Sequence, residues 1–241
     1  MRLSFPWHIL FPKRCPFCGT VIPHTARCCA SCAPNLPLLP QNARLIGELP
    51  RQIAAYAPFS YEGLAEQAVW RLKFYGVPAV ARHLAPYLAE ALPDGAEFDL
   101  VVPIPMTRRK ERRRGYNQAA LLARFTAEAL GLPVRPLLQK RRETAEQHTL
   151  SARERKTNLS GAYRLTDPAA VRGKRILLCD DVVTTGATLR EAAMLLYDAG
   201  AESVSAAAAA FAGGFPRETQ SERSKPCPPQ NASTTPSARR S

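Results

Sequence analysis

The stretch ILLCDDVVTTGAT, residues 176–188, decides the fold of this chain. Apolar residues run without a break into Asp180 and Asp181, and the residues that follow include three threonines and a glycine. A continuous apolar run that ends in a turn is typical of a buried parallel strand. The carboxyl ends of such strands form the edge where open α/β sheets bind ligands. We therefore expect the two carboxylates to face a ligand.

The turn after the acidic pair has the composition of a phosphate-binding loop. It leads into a helical segment, TLREAAMLLYDAG, whose positive N-terminal end favours an anion. Hydroxyls of Thr184, Thr185 and Thr188 can donate to a phosphate, and Gly186 lets the backbone approach closely. Carboxylates beside a phosphate site favour a ligand with vicinal hydroxyls and a phosphate, such as a ribose 5-phosphate. A GxxxxGK[ST] loop and a GxGxxG fingerprint are both absent from the sequence.

Strand-like and helical segments alternate along the rest of the chain, which predicts an α/β fold with a parallel sheet flanked by helices. Thr188 and Glu191 have the spacing of a capping box. Residues 139–160 lack periodicity and predict a long loop, and the Pro/Ser-rich residues 213–241 predict a disordered basic tail. The predicted strands lie in residues 52–61, 99–105, 132–138, 175–181 and 203–211, and the predicted helices in 64–76, 77–92, 116–131 and 188–200.

Four cysteines near the N-terminus form two C-x2-C pairs with ten residues between them: Cys15, Cys18, Cys29 and Cys32. Four thiolates at this spacing can surround a tetrahedral Zn²⁺. Because all four positions are sulfur, the predicted role of the zinc is structural, in a module of about 40 residues that has little core of its own. Cys28 could replace Cys29, but the x2 spacing of the first pair favours Cys29. Disulfides are the alternative.

The formal net charge of +13 points to a polyanionic partner. Six cations fall in the seven positions from Arg108 to Arg114. Few aromatic residues lie within the basic runs, so any binding of single-stranded DNA is expected to depend on phosphate contacts. The candidates for a role in a loop or in nucleic-acid contacts are Arg112, Arg113, Arg114, Arg141, Arg142, Arg153 and Arg155.

No apolar run approaches the ~20 residues of a membrane span, and the first dozen residues, broken by two prolines, do not form a signal peptide. We therefore expect no membrane insertion and a cytoplasmic protein with reduced thiols.

The motifs together resemble a known family. ILLCDDVVTTGAT resembles the motif with which type I phosphoribosyltransferases bind 5-phosphoribosyl-1-pyrophosphate (PRPP). VVPIPMTRRKERRRGYNQAALLA, RRETAEQHTLSARERKTNLSGAY and the cysteine pairs are similar to the ComF family of competence-associated proteins. The resemblance spans roughly residues 5–212. It implies a zinc ribbon at 1–40, a phosphoribosyltransferase-like domain at 41–212, and a tail at 213–241 without a counterpart.

The resemblance also implies roles for individual residues. Asp180 and Asp181 would be the catalytic acids that bind the ribose hydroxyls, directly or through Mg²⁺. Arg108 and Arg109, in the segment after VVPIP, would meet the pyrophosphate. The 5-phosphate would be held by Thr184, Thr185, Gly186, Ala187 and Thr188.

Two functions remain open from the sequence. One is a PRPP-binding protein that acts in DNA uptake or in the use of imported DNA, with single-stranded DNA and DNA-uptake proteins as partners. The other is an active phosphoribosyltransferase in nucleotide salvage or metabolism. A glutaminase is not expected, since Arg2 follows Met1 and the early cysteines lie in the zinc motif. Asn117 and Gln118 are expected either to cap their helix or to contact ligand.

Overall fold

The computed structural model describes residues 12–41, 44–46, 51–140 and 161–212. The strands of its main sheet are β1 (Arg44–Ile46), β2 (Ile53–Tyr56), β3 (Phe59–Ser60), β4 (Leu100–Pro103), β7 (Arg175–Val183) and β8 (Ser203–Phe211). They are arranged in the order β1-β2-β8-β7-β4, with β3 also paired to β8. All pairs are parallel except β1 with β2. The predicted α/β fold with a parallel sheet is therefore confirmed.

Helices cover both faces of this sheet. They are α1 (Gly63–Phe74), α2 (Ala79–Glu90), α3 (Arg108–Arg114), α4 (Gln118–Leu130) and α5 (Ala187–Asp198). Helices α1, α2 and α4 bury apolar residues against one face, and α5 packs on the other. A separate antiparallel hairpin of β5 (Leu138–Lys140) and β6 (Tyr163–Leu165) lies on the α5 side. The charged segment 141–160 falls between its strands and outside the described residues.

The alanine-rich segment 203–211 forms the predicted strand, β8, which lies at the centre of the sheet. It pairs with β2 and β3 on one side and with β7 on the other. Alanine has weak β-propensity, but a strand buried on both faces is stabilised by its neighbours more than by propensity. Ala206 to Ala210 are all at most 1% exposed.

One predicted strand is wrong, and one helix was not predicted. Residues 132–138 form only a bridge between Val134 and Val101 before β5 begins. The basic segment 108–114 is a helix, with Thr107 as its N-cap and left-handed Gly115 at its end. Arginine and lysine have good helix propensity, so this helix forms without an apolar stripe.

The predicted capping box of α5 does not form. Gly186, two residues earlier than expected, is the N-cap, and no side chain caps the helix. Glu191 instead accepts hydrogen bonds from the backbone N–H groups of Gly161 and Ala162, beside the hairpin. The carboxylate of Glu191 therefore fixes the chain that enters β6.

The cysteine segment shares the core of the α/β fold. Phe17 is 1% exposed and packs edge-on against Phe59 and Tyr87, at centroid distances of 5.6 and 6.2 Å. Arg71 of α1 also donates a hydrogen bond to the carbonyl oxygen of Cys15 at 3.1 Å. The predicted boundary near residue 40 thus divides segments that pack on each other. Among the described helices, none is long and apolar enough to span a bilayer.

Candidate functional site

The two acids at the end of β7 point to opposite faces of the sheet, because successive side chains of a strand alternate. Asp181 faces α1, where it pairs with Lys73. Asp180 faces the hairpin, where its charge acts on Tyr163 and the charge of Lys140 acts on it. The two carboxylates therefore have different surroundings and are not equivalent as ligands.

Asp181 is buried and only half satisfied. Its Oδ1 atom lies 2.9 Å from Nζ of Lys73, and its side chain is 8% exposed. Its Oδ2 atom is buried with no hydrogen-bond partner among the described residues. A buried carboxylate oxygen without a donor is costly, and a ribose hydroxyl or a metal-bound water would satisfy it.

The charged form of the Asp180 side chain is electrostatically unfavourable. Burial and the neighbouring charge of Asp181 raise the pKa of Asp180 to about 8, against the opposing effects of the Asp181 backbone N–H, Lys73 and Lys140. The N–H of Asp181 donates to Oδ1 of Asp180 at 2.8 Å. The charged form of this carboxyl group is therefore disfavoured, and a bound cation would favour it.

The turn that follows leaves the start of α5 open. Thr184, Thr185 and Thr188 are exposed. The N-cap residue Gly186 has no side chain, and Oγ1 of Thr185 accepts from the N–H of Ala187 at 3.4 Å. Gly186 has a φ of +76°, and a Cβ atom there would lie 2.7 Å from Cγ2 of Ile46. Only glycine fits this position, for its backbone conformation and for its contact with β1. An uncapped helix start with exposed hydroxyls can accept a phosphate.

The basic helix α3 begins at the same edge of the sheet. Strands β4 and β7 are paired in parallel up to Pro103 and Cys179, so the chain leaves β4 beside the acidic strand end. Arg114 is set apart from the other arginines of α3, because it donates to Oε1 of Gln118 and lies 5.3 Å from the ring centroid of Phe74. The exposed arginines are Arg108, Arg109, Arg112 and Arg113.

Asn117 caps α4, which decides between its two predicted roles. Its Oδ1 accepts from the N–H of Ala119 at 3.0 Å, and its Nδ2 donates to the carbonyl oxygen of Ile104. Gln118 contacts Arg114 instead of capping. Both side chains therefore fix the connection from β4 to α4.

The cysteine cluster has the predicted membership. The ligand atoms of Cys15, Cys18, Cys29 and Cys32 all lie within 4.8 Å of one another, and Sγ of Cys18 lies 3.5 Å from Sγ of Cys29. Tetrahedral Zn–S bonds of about 2.3 Å require sulfur atoms roughly 3.8 Å apart, so the cluster fits zinc with small movements.

The thiols of the cluster differ in acidity. Hydrogen bonds with Thr20 lower the pKa of Cys18 to about 6, whereas burial raises the pKa of Cys32. A metal held by this cluster would favour the thiolate form of all four. Cys28 lies outside it and packs against the core next to Tyr87.

Some site residues could not be found from the sequence. Lys73 lies in an amphipathic stretch where nothing marks it as the partner of Asp181, since that pairing depends on how α1 packs. Ile46 belongs to an edge strand that the sequence did not predict. Of the predicted candidates, Arg141, Arg142, Arg153 and Arg155 lie outside the described residues.

Comparison with known proteins agrees with this architecture. Residues 77–227 match the family model of the phosphoribosyl transferase domain. The DNA utilization protein YhgH of Salmonella typhimurium is 36% identical over 197 residues, which cover 79% of this chain and 80% of that protein. Competence protein F of Haemophilus influenzae is 28% identical over 209 residues, or 83% of this chain and 82% of its own length.

A third relative, the competence protein ComFC of Streptococcus pneumoniae, is 34% identical over 149 residues, which cover 61% of this chain and 64% of that protein. The resemblance to competence proteins found in the sequence is thereby confirmed. The chain belongs to the ComF family of proteins with a phosphoribosyl transferase domain.

Proposed function

We propose that this protein binds PRPP together with Mg²⁺ at the carboxyl edge of its sheet and serves in the use of DNA taken up by the cell. The match to a phosphoribosyl transferase domain supports the ligand. The names of the relatives, a DNA utilization protein and competence proteins, support the process. The observation that carries the proposal is the buried Oδ2 atom of Asp181, without a hydrogen-bond donor among the described residues, on the strand that leads to the start of α5 at Gly186.

The acids would act on the ribose. The ring hydroxyls of PRPP can donate to Asp180 and to the unpartnered Oδ2 atom of Asp181. Mg²⁺ prefers carboxylate oxygens and waters as ligands, and Asp180 offers a carboxylate that gains a counter-charge when the ion binds. Lys73 holds Asp181 in place on the far side of the strand.

The turn would hold the 5-phosphate. The backbone N–H groups at the start of α5 and the hydroxyls of Thr184, Thr185 and Thr188 would surround its oxygens, next to Gly186 and Ala187. The pyrophosphate would meet Arg108 and Arg109, which lie at the start of α3 where the chain leaves β4. Guanidinium groups suit phosphate oxygens because they donate in a planar fork.

An active transferase is the second candidate. The observation in its favour is that the pKa of Asp180, about 8, lies near neutral pH, where a carboxyl group can give or take a proton. A nucleophile would attack C1 of the ribose and pyrophosphate would leave, with the arginines of α3 stabilising the charge on the leaving group. Release of pyrophosphate from PRPP when candidate bases are added would support this function over binding alone.

Two finer points follow from the proposal. Thiolate ligands for zinc require a reducing compartment, so we expect the protein to work in the cytoplasm. A protein that handles DNA also needs a surface for phosphates, and the exposed arginines of α3 exceed what one pyrophosphate uses. The boundaries of the tail and of the zinc ribbon remain predictions.

Isothermal titration with PRPP, with and without Mg²⁺, tests the proposal. Asp180→Asn should weaken binding about tenfold or more and remove most of the Mg²⁺ dependence, since a charge-assisted contact contributes roughly 1.5–3 kcal/mol. Arg172→Gln, an exposed charge change on the loop before β7, is the matched control and should leave binding unchanged. If Asp180→Asn binds PRPP as tightly as the parent protein, the ribose assignment is wrong.

A further inference from the structure

A basic cleft lies outside the site described above, between the cysteine segment and the start of α2. It has a volume of about 770 Å³, within the ~300–1,000 Å³ range of ligand sites. Two histidines line it, and among its described lining residues there is no aspartate or glutamate. The arginines and lysine of its wall are Lys13, Arg14, Arg27, Arg71 and Arg82.

Three of these five cations orient toward the backbone instead of toward acids. Lys13, Arg14 and Arg71 each donate to a backbone carbonyl oxygen, at 2.9, 3.2 and 3.1 Å, which fixes the side chain but cancels no charge. Arg27 and Arg82, by contrast, pair with glutamates outside the cleft, at 2.6 and 3.7 Å. The cleft therefore holds oriented cations that an anion can reach.

The start of α2 adds to the positive field. Val77, Ala79 and Val80 line the cleft, and no side chain caps this helix. Burial, Lys13 and Arg82 together hold the pKa of His83, on the cleft wall, below its usual value, as expected beside concentrated positive charge.

Aromatic side chains border the cleft. A second depression, of about 490 Å³, shares Arg71 with it and is lined by Trp70 and Tyr75, with one carboxylate, that of Glu66. The exposed fractions of Trp70, Phe74 and Tyr75 are 45, 58 and 71%, which is high for such large apolar groups. The rings of Trp70 and Phe74 lie 4.8 Å apart, and Phe74 contacts Arg114 at the end of α3.

From this arrangement we infer that the cleft, the exposed aromatic rings of α1 and the basic helix α3 form one continuous binding track for single-stranded nucleic acid. Phosphates would occupy the cleft and lie along α3, and bases would stack on Trp70, Phe74 and Tyr75. The inference rests on the nucleic-acid part of the proposed function and names where the strand binds.

The combination of features favours a single strand over other polyanions. A cationic groove beside aromatic faces is the arrangement with which proteins bind single strands, because unpaired bases expose their π-faces and paired bases do not. A free phosphate would explain the cleft but not the aromatic rings. The sequence predicted phosphate contacts alone, because the aromatic residues are distant from the arginines of α3 along the chain. In the fold, Phe74 contacts Arg114.

The test is fluorescence anisotropy of a labelled oligothymidylate with the full chain, between about 50 and 200 mM salt. The double variant Lys13→Gln/Arg14→Gln should flatten the slope of log affinity against log salt by about 1.4, that is, about 0.7 for each phosphate that is no longer neutralised. Trp70→Ala should weaken binding roughly 5- to 100-fold at every salt concentration and leave the slope unchanged. Because Trp70 is exposed, its replacement does not open the core.

The matched control is Arg172→Gln/Lys174→Gln, which removes the same charge next to the opposite end of β7 and should leave affinity and slope unchanged. All variants should still bind PRPP as the parent does. Equal weakening by the control and the cleft variant would overturn the inference, and so would equal binding of a duplex with no effect of Trp70→Ala. Absence of oligonucleotide binding in the parent protein would overturn it as well. If the parent binds the oligonucleotide as described but not PRPP, the track stands and the proposed ligand fails.

Discussion

Replacing Asp180 with asparagine should stabilise the protein while it weakens ligand binding. The carboxyl group of Asp180 is held where its charged form is unfavourable, with a pKa raised to about 8 by burial and by Asp181. Asparagine has nearly the same shape and keeps the oxygen that accepts from the N–H of Asp181. The substitution therefore removes the cost of an unfavourable ionisation and retains the local hydrogen bond.

The size of the effect follows from the pKa difference. An unfolded aspartate ionises near pH 3.8, and the folded group near pH 8. At pH 7 the carboxyl group of Asp180 is ionised in the unfolded state and favours its protonated form in the folded state. This difference lowers the free energy of unfolding by up to about 4 kcal/mol. Asp180 is not fully shielded from water, so we expect a gain of roughly 2–4 kcal/mol for Asp180→Asn, or about 5–10 °C in Tm for a domain of this size.

The pH dependence is the sharper test. Well below pH 3.8 the carboxyl group of Asp180 is protonated in both the folded and the unfolded state, so its stabilising effect is fully present and asparagine gains nothing. As pH rises from 4 to 8, the parent protein loses this stability and the variant does not. The gain in free energy of unfolding from Asp180→Asn should therefore be about threefold larger at pH 8 than at pH 5. Urea unfolding of both proteins at the two pH values measures it.

Two other aspartates serve as controls. Asp94→Asn, at an exposed turn, should change stability by less than about 0.5 kcal/mol at either pH. Asp99→Asn should instead lower the free energy of unfolding. Hydrogen bonds from Arg175 lower the pKa of Asp99 to about 2, so its charge stabilises the fold above pH 4. A variant Asp180→Asn that is less stable than the parent at pH 8, or whose advantage does not grow with pH, would refute the reasoning.

Further predictions concern the metal, the ion pair and the turn. Cys29→Ser should lose bound zinc by elemental analysis, while Cys28→Ser keeps about one ion per chain; equal loss from both would exclude the ligand set. Lys73→Met leaves the buried charge of Asp181 unpaired and should lower the free energy of unfolding by about 3–5 kcal/mol in urea titrations, an effect absent if the pair is open to solvent. Gly186→Ala should abolish PRPP binding and lower Tm, since its φ of +76° and its close contact exclude a side chain; normal binding would contradict the assigned turn.

The sequence predicted best what depends on neighbours along the chain. The acidic pair, the hydroxyl turn and the strand before them lie in consecutive residues, so their order alone placed them at a sheet edge. The cysteine spacing likewise predicted which thiols meet. The helix α3 was missed because its arginines show no apolar periodicity, although Thr107 and Gly115 are ordinary end signals of a helix.

Contacts between distant segments could not be predicted. The sequence treated the two acids of β7 alike, but their surroundings differ because α1 packs on one face and the hairpin on the other. Lys73 and Ile46 become site residues only through that packing. The capping box failed for a related reason, since Glu191 bonds to the chain entering β6 and Gly186 already begins the helix.

The alanines of β8 have a consequence for the acidic strand beside them. Alanine has no side-chain torsion to change, so the centre of the sheet cannot repack to relieve strain elsewhere. Helices α1, α2 and α5 all come within 8 Å, Cα to Cα, of this strand, which leaves little room for a larger residue on either face. Asp180 lies directly opposite Ala208. A backbone fixed in this way holds the Cα and Cβ atoms of Asp180 in one place, so a cation that binds there meets a carboxylate whose point of attachment does not shift.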